Sequence, residues 1–479
     1  MRAIFRQLYI MLSIPLFATA QSDEINLLSP PGTFHFDVVI IGGGAAGLTA
    51  AYYLKDLNIM LLEKEDLCGG RIISGEWEGF HYPKGMEYLG PPEKDYSKLF
   101  RELGLELIQV PPPTDGVLFR GLFFHHGKIL DFLPGQAAKN DYYRLMSSLK
   151  ELSKETEDAI WENQDKLSKF AGYDSISVHD WLIQNKYHPL VQEMVNVENR
   201  GLFGSSNTDL SMLFNIDEMD YDLPDSTEYN ESEVYTFQNG MFEYVDAINS
   251  RLPGKITTGA EVTSIKGGEN SGLIISYTKD GKSNLITARS VIIATPAPIA
   301  ADIAGEYLDK PAMNALRAIQ YSNYITVNLF TSERIYFESW MVTAIDEYFV
   351  TLYDAVRTQV SPDYRGKAIL GMYVAPGTAE DHTLMSMSDD QVLDSIYFSL
   401  EKYFPDIRQK TLGYDIQKFE YAFPVFGKNY RNTIQELRSN PSASGPVFLC
   451  GDYLMYPTFD GAFWSAVDAS ERVISYLKK

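Results

Sequence analysis

Three glycines and one acid have the spacing best suited to chemistry in this chain. Gly42, Gly44 and Gly47 stand in G-x-G-x-x-G order, with Ala45 and Ala46 inside the pattern. Glu63 follows about 20 residues after the first glycine, where the dinucleotide fingerprint expects an acid. In such a pattern the first glycine makes a tight turn and the second lets the backbone approach a pyrophosphate. The third lets a helix pack closely on its strand. Unpaired N–H groups and the positive end of the helix dipole then face phosphate oxygens. A carboxylate at Glu63 can accept hydrogen bonds from ribose hydroxyls and repels a 2′-phosphate, so the expected ligand is a dinucleotide other than NADP. A βα turn without a ligand could also use these glycines; the acid in place weighs against it.

The surrounding elements must hold that turn. Asp37 to Ile41 reads as a strand buried on both faces of a parallel sheet. An alanine-rich helix follows, with Ala45, Ala46, Ala50 and Ala51, and then a second strand from Asn58 to Leu62. Beyond this the chain reads as irregular, punctuated by Pro91-Pro92 and Pro111-Pro112-Pro113. The stretch from Gln136 to Tyr187 reads as mostly helical. Residues 217–233 hold eight acids and no base, which suits a solvated loop or, alternatively, a rim that attracts cations. From Lys255 the period becomes that of strands, with a buried parallel one at Val291 to Ala294 and another pattern at Tyr324 to Phe330. The end of the chain repeats the opening theme: a strand from Val447 to Cys450, a Gly451-Asp452 turn, and a helix beginning near Gly461-Ala462. The expectation is an α/β protein. Segments 35–90, 240–300 and 445–479 would build one Rossmann-like nucleotide domain. Segments 91–239 and 301–444 would build an α+β substrate domain with a mixed sheet and helices, and the ligand would lie in the crevice between the two.

Composition sets outer limits. The 479 residues carry 64 acids against 41 bases, a formal charge of −23, which excludes nucleic-acid binding through a basic surface. Such acidity serves solubility and could also draw in a cationic substrate. The first 20 residues read as an export signal: Arg2 and Arg6, an apolar run from Leu8 to Phe17, then Ala18-Thr19-Ala20. A buried N-terminal helix is the alternative. No other apolar run is long enough to span a bilayer, so the mature chain is expected to have no transmembrane segment and to be periplasmic or secreted. Cys68 and Cys450 read as buried small side chains, although a bridge between them is conceivable. No Cys/His cluster has metal-ligand spacing, so no metal is expected.

At Cys68-Gly69-Gly70-Arg71 the chain comes to resemble the flavin amine oxidase superfamily, which includes monoamine and polyamine oxidases, protoporphyrinogen oxidase and phytoene desaturase relatives. Phe80–Gly90, FHYPKGMEYLG, resembles the family's glycine-bearing segment beside the flavin. QNGMFEYVDAI, from Gln238, is similar to its G-G-M segment, and Gly451-Asp452 with Gly461-Ala462 to its closing signature. The resemblance implies FAD on a glutathione-reductase-type domain. Its contacts would come from Gly42, Gly44, Ala45, Ala46, Gly47, Glu63, Lys64, Gly70, Arg71, Gly85, Met86, Glu87, Val262, Gly451, Asp452, Gly461 and Ala462. Arg71 would neutralise pyrophosphate charge, and Asp452 would accept from ribityl or ribose hydroxyls. An NAD-linked dehydrogenase would leave Gly69-Gly70-Arg71 and Gly451-Asp452 without a purpose.

The departures from the family pattern bear on substrate. Where amine-oxidising members carry a lysine near the flavin, this chain has Thr326, and no lysine occurs between Lys310 and Lys367. Thr458 falls where one aromatic of the family's substrate-flanking pair is expected, though Tyr421, Phe423, Phe426, Tyr456 and Phe459 could supply walls or simply pack the core. No cysteine lies near Tyr421, which implies non-covalent FAD. Lys84 and Glu87 on the flavin-facing loop could bind a carboxylate and an ammonium respectively, or face solvent. The weak catalytic candidates are therefore Lys84, Glu87, Thr326, Tyr421 and Thr458. The expected reaction is hydride removal from a small organic molecule, with O2 or another acceptor reoxidising the cofactor. An amine is favoured by the likeness and by the acidity. The missing lysine favours a porphyrinogen-type or desaturase-like C–C dehydrogenation, and a flavin-binding protein without turnover is the third reading.

Overall fold

The computed structural model describes residues 35–479 except 92–93, 126, 162–169, 217, 220–233, 269–271 and 441–444. The expected export signal and most of the acidic stretch lie outside the described residues. Among those described, no helix is long and apolar enough to cross a membrane.

The glycine turn is held by a seven-stranded sheet. The Phe36–Ile41 strand runs parallel to Ile59–Leu62 on one side and to the end of Lys282–Ile293 on the other. Alternate side chains of this first strand enter different cores, Val38 and Ile40 one, Val39 and Ile41 the other. The unbroken apolar run therefore reflects burial on both faces. Val447–Leu449 pairs in parallel with Val291–Ile293, and Ile256–Thr257 with Leu61–Leu62, so three distant segments share the sheet. The long Lys282–Ile293 strand has two roles. Its first half closes an antiparallel meander with Ala260–Gly267 and Leu273–Lys279, and its second half joins the parallel sheet.

A second seven-stranded sheet lies in the order Thr411–Pro424, Tyr321–Thr331, Ala368–Val374, Thr351–Asp354, Met341–Ile345, Gly116–Phe119, Leu122–His125. Tyr321–Thr331 is buried along its whole length. Ile325, Val327 and Leu329 pack into a core with Val392, Ile396 and Leu400 of the Asp389–Leu400 helix. Tyr324 and Phe330 face the core shared with the first sheet.

Several boundaries differ from the sequence reading. The segment read as irregular after the fingerprint forms a hairpin, Ser74–Trp77 with Phe80–Pro83, and then a helix, Lys94–Leu103. Its strands are only four residues long, too short to show a period of two. The region read as one helical stretch is Gly135–Trp161 followed, beyond the undescribed residues, by Ala171–Asp174 and Val178–Gln184.

Candidate active site

The glycine turn fits a bound pyrophosphate, and each glycine is fixed for a different reason. Gly42 has φ of +104°, and a Cβ there would stand 2.6 Å from the Ala294 carbonyl oxygen. A Cβ on Gly47 would stand 1.9 Å from the Gly42 carbonyl oxygen. A Cβ on Gly44 would meet nothing within 4 Å. Gly44 caps the N-terminus of the Ala45–Tyr53 helix, so this open space lies at the end of the helix where the free N–H groups are. Packing dictates two of the glycines; the third leaves room for a ligand.

Glu63 is buried at the end of its strand and braces the turn. Its Oε2 accepts from the Gly43 N–H and its Oε1 from the Glu65 N–H at 2.8 Å. Lys64 is exposed and pairs with Glu65 at 3.3 Å. Val262 stands partly buried on a strand whose entry is tied to this corner by the Ala260 N–H to the Glu63 carbonyl. Cys68 is buried beneath Gly43, and Cys450 lies beside Ser465; both are free, and burial pushes each thiol up to about 12. The two thiols are therefore poor nucleophiles.

Arg71 and Asp452 meet across the molecule at 2.8 Å, and Arg71 Nη1 also donates to the Ala422 carbonyl at 2.6 Å. Asp452 is buried and Arg71 half-exposed, so the guanidinium keeps an open side near the glycine turn, whose Gly44 approaches Gly70. Gly451 leads into the Asp452–Leu454 turn, where the Tyr453 N–H donates to Asp452 Oδ1 at 3.0 Å. Thr458, a catalytic candidate by position, caps the Phe459–Leu477 helix by accepting from the Gly461 N–H, and Ala462 is buried in that first turn. The helix N-terminus, the guanidinium and its buried carboxylate partner thus stand close together, beside the Gly44–Gly70 approach. A dinucleotide's phosphates and sugars would fit there, held by Gly44, Arg71 and Asp452 with Glu63 at the far end.

From Arg71 the chain runs directly to the second sheet. The Met86 N–H donates to the Arg71 carbonyl, and a Cβ on Gly85 would collide with that same oxygen at 2.2 Å. Lys84 pairs with Asp415 at 3.0 Å, so it is committed within the protein. Glu87 turns inward. Its Oε2 accepts from the Tyr373 hydroxyl at 2.8 Å and its Oε1 from Trp340 Nε1 at 3.1 Å. Enclosure by protein raises its carboxyl to about 8, against the lowering effect of those two donors, and nearby Asp354 adds to the rise.

Thr326 lies opposite Tyr373 on one neighbouring strand and Gln417 on the other, and its buried Oγ1 has no partner among the described residues. Tyr324, Tyr353, Tyr373 and Phe423 form a chain of rings, with centroids 4.9 to 5.7 Å apart. Tyr421 is more exposed than these and stands edge-on to Tyr321. Phe426 and Tyr456 pack into the core around Tyr430 and Phe203, and Phe459 packs with Phe100 and Tyr244. Sequence reasoning missed Tyr373, Trp340 and Tyr353. They lie between the Tyr324–Phe330 pattern and the Val447–Cys450 strand, where the sequence shows no single period, and only the register of the sheet sets them beside Glu87.

Comparison with known proteins agrees with this geometry. The model of the flavin containing amine oxidoreductase family matches residues 45–474. The coproporphyrinogen III oxidase of Bacillus subtilis (strain 168) is 23% identical over 88% of this chain and 94% of its own length. The Dictyostelium discoideum protein named "Probable flavin-containing monoamine oxidase A" is 30% identical over 37% of this chain and only 39% of its own length. Cyclohexylamine oxidase from Brevibacterium oxydans IH-35A superposes with a TM-score of 0.74 at 18% identity, covering 93% of this chain and all of that one. With a family match spanning nearly the whole described chain and a groove that fits the dinucleotide, this protein belongs to the flavin-containing amine oxidoreductases and is an FAD-dependent oxidoreductase.

Proposed function

We propose that the chain oxidises a primary or secondary amine. One observation carries this reading: a carboxyl, Glu87, stands among aromatic rings on the same loop that leaves the cofactor groove. An acid beside tyrosine faces can accept the proton of an organic ammonium and, once ionised, hold the cation. The whole-chain likeness in fold to an amine oxidase supports it. When bound, FAD would supply the acceptor for a hydride leaving the carbon next to nitrogen. The protein's own residues bind, orient and shield. Arg71 and Asp452 fix the groove, Tyr324, Tyr353, Tyr373 and Phe423 form an apolar wall, and Thr326 Oγ1 offers one uncommitted polar contact.

Desaturation of a porphyrinogen-like substrate is the second reading, favoured by Thr326 in place of a lysine and by the coverage of the coproporphyrinogen III oxidase match. Anaerobic titration of the FAD-loaded protein with amines decides between them. Bleaching of the flavin band by an amine supports the first reading; bleaching by a porphyrinogen and by no amine overturns it. Peroxide release on readmitting air would identify O2 as the acceptor. We further propose export of the chain, on the Arg2, Arg6 and Ala18-Thr19-Ala20 pattern. N-terminal sequencing of the exported protein tests it, with Gln21 as the expected first residue.

A further inference from the structure

We infer that Glu87 and Tyr373 form a proton-holding pair that takes the proton from the substrate's ammonium group before oxidation. This rests on the amine reading and adds to it the residue that makes the nitrogen lone pair available.

The hydrogen bonds fix where that proton sits. Trp340 Nε1–H can only donate, so Glu87 Oε1 remains an acceptor in both protonation states. The proton must therefore reside on Oε2, against Tyr373. A hydroxyl both donates and accepts, so Tyr373 donates to the carboxylate and turns to accept from the carboxylic acid. Both states keep their hydrogen bonds, which an ordinary buried ion pair does not allow. In the transfer one ammonium N–H bond breaks, one O–H bond forms at Oε2, and the electron pair stays on nitrogen. No redox change occurs in this step.

The charged and titratable groups around the pair are few. Asp354 lies on the next strand, where its charge is paired with that of buried Arg334; Tyr324 and Tyr353 complete the ring of phenols, held well above their ordinary range by burial. Arg357 is committed to the carbonyls of Pro111, Pro113 and Phe337. Glu87 also lines a cavity with Asp354, Arg357, Gln359 and half-exposed His81. With these residues in its lining, this cavity is polar and suits water. It gives the proton a route to solvent after turnover.

The test uses the FAD-loaded enzyme and benzylamine. Wild type is expected to show a protonated-carboxyl infrared band that vanishes as pH rises through about 8, together with an acid limb in the rate of anaerobic flavin reduction. In Glu87→Gln the band should shrink to the part contributed by Glu198, the other glutamate held up to about 8, the acid limb should move up to that of the free amine, and reduction should slow about 100-fold or more. Tyr373→Phe, which removes a donor to the carboxylate, should carry both band and limb to higher pH. An unchanged acid limb in Glu87→Gln, or a band of undiminished intensity there, overturns the proposal. Failure of benzylamine and other amines to bleach the wild type sinks the amine reading instead, and the part of the band that Glu87→Gln removes then decides alone whether this carboxyl holds a proton up to about pH 8.

Discussion

At the scale of single residues, the glycine turn separates folding from binding. Gly47→Ala forces a methyl to within 1.9 Å of a backbone oxygen, whereas Gly44→Ala places one in open space at φ of −74°. We expect Gly47→Ala to lose several kcal/mol of stability, on the order of an overpacked core, and to express poorly. Gly44→Ala should keep its denaturation midpoint while failing to retain FAD through gel filtration. Equal loss of fold in both would contradict the assignment. Arg71→Gln removes a charge-assisted contact to the ligand and leaves Asp452 buried without its cation. FAD affinity should fall about 10- to 100-fold, read by fluorescence quenching on reconstitution. The glycines, Glu63 and Arg71 were legible in the sequence because their spacing is local. Glu87 could be named but not placed: a loop acid has the same sequence signal whether it faces water or turns between Tyr373 and Trp340.

At the scale of elements, helix ends explain two positions that function alone would not. Thr458 falls where a substrate-flanking aromatic was expected, and its side chain caps the Phe459–Leu477 helix instead. Thr458→Ala should cost about 1 kcal/mol in chemical denaturation; no shift in midpoint would show the cap to be dispensable. The first and last parallel strands were readable because strands buried on both faces are continuous apolar runs. The strands between residues 341 and 374 were not. They are short or wholly buried, and their identity comes from pairing: Ala368–Val374 with Tyr321–Thr331, Thr351–Asp354 with Ala368–Val374, and Met341–Ile345 with Thr351–Asp354 and the distant Gly116–Phe119.

At the scale of the whole molecule, enclosed carboxyls couple stability to pH. Glu198, bonded to Thr343 and enclosed by protein, is pushed up to about 8, as Glu87 is. Between the ordinary glutamate value near 4.5 and about 8, the folded chain holds protons that the unfolded chain has released. Stability is therefore fully present below that window and falls as pH rises through it. Glu198→Gln should flatten this fall and gain on the order of 2 kcal/mol at pH 9, each tenfold change in proton affinity being worth at most about 1.4 kcal/mol. Denaturant midpoints at pH 5 and pH 9 check it, and a wild type more stable at pH 9 would refute the sign. The amino-acid order alone carried the dinucleotide turn and its acid in contiguous spacing, and the resemblance of its motifs to the flavin amine oxidases pointed to the family and the cofactor. The tertiary structure decided which acid lies among aromatic rings, which lysine is tied up by Asp415, and which threonine caps a helix. The first two depend on contacts between segments hundreds of residues apart, and the burial of a polar group is settled only when all its neighbours have arrived.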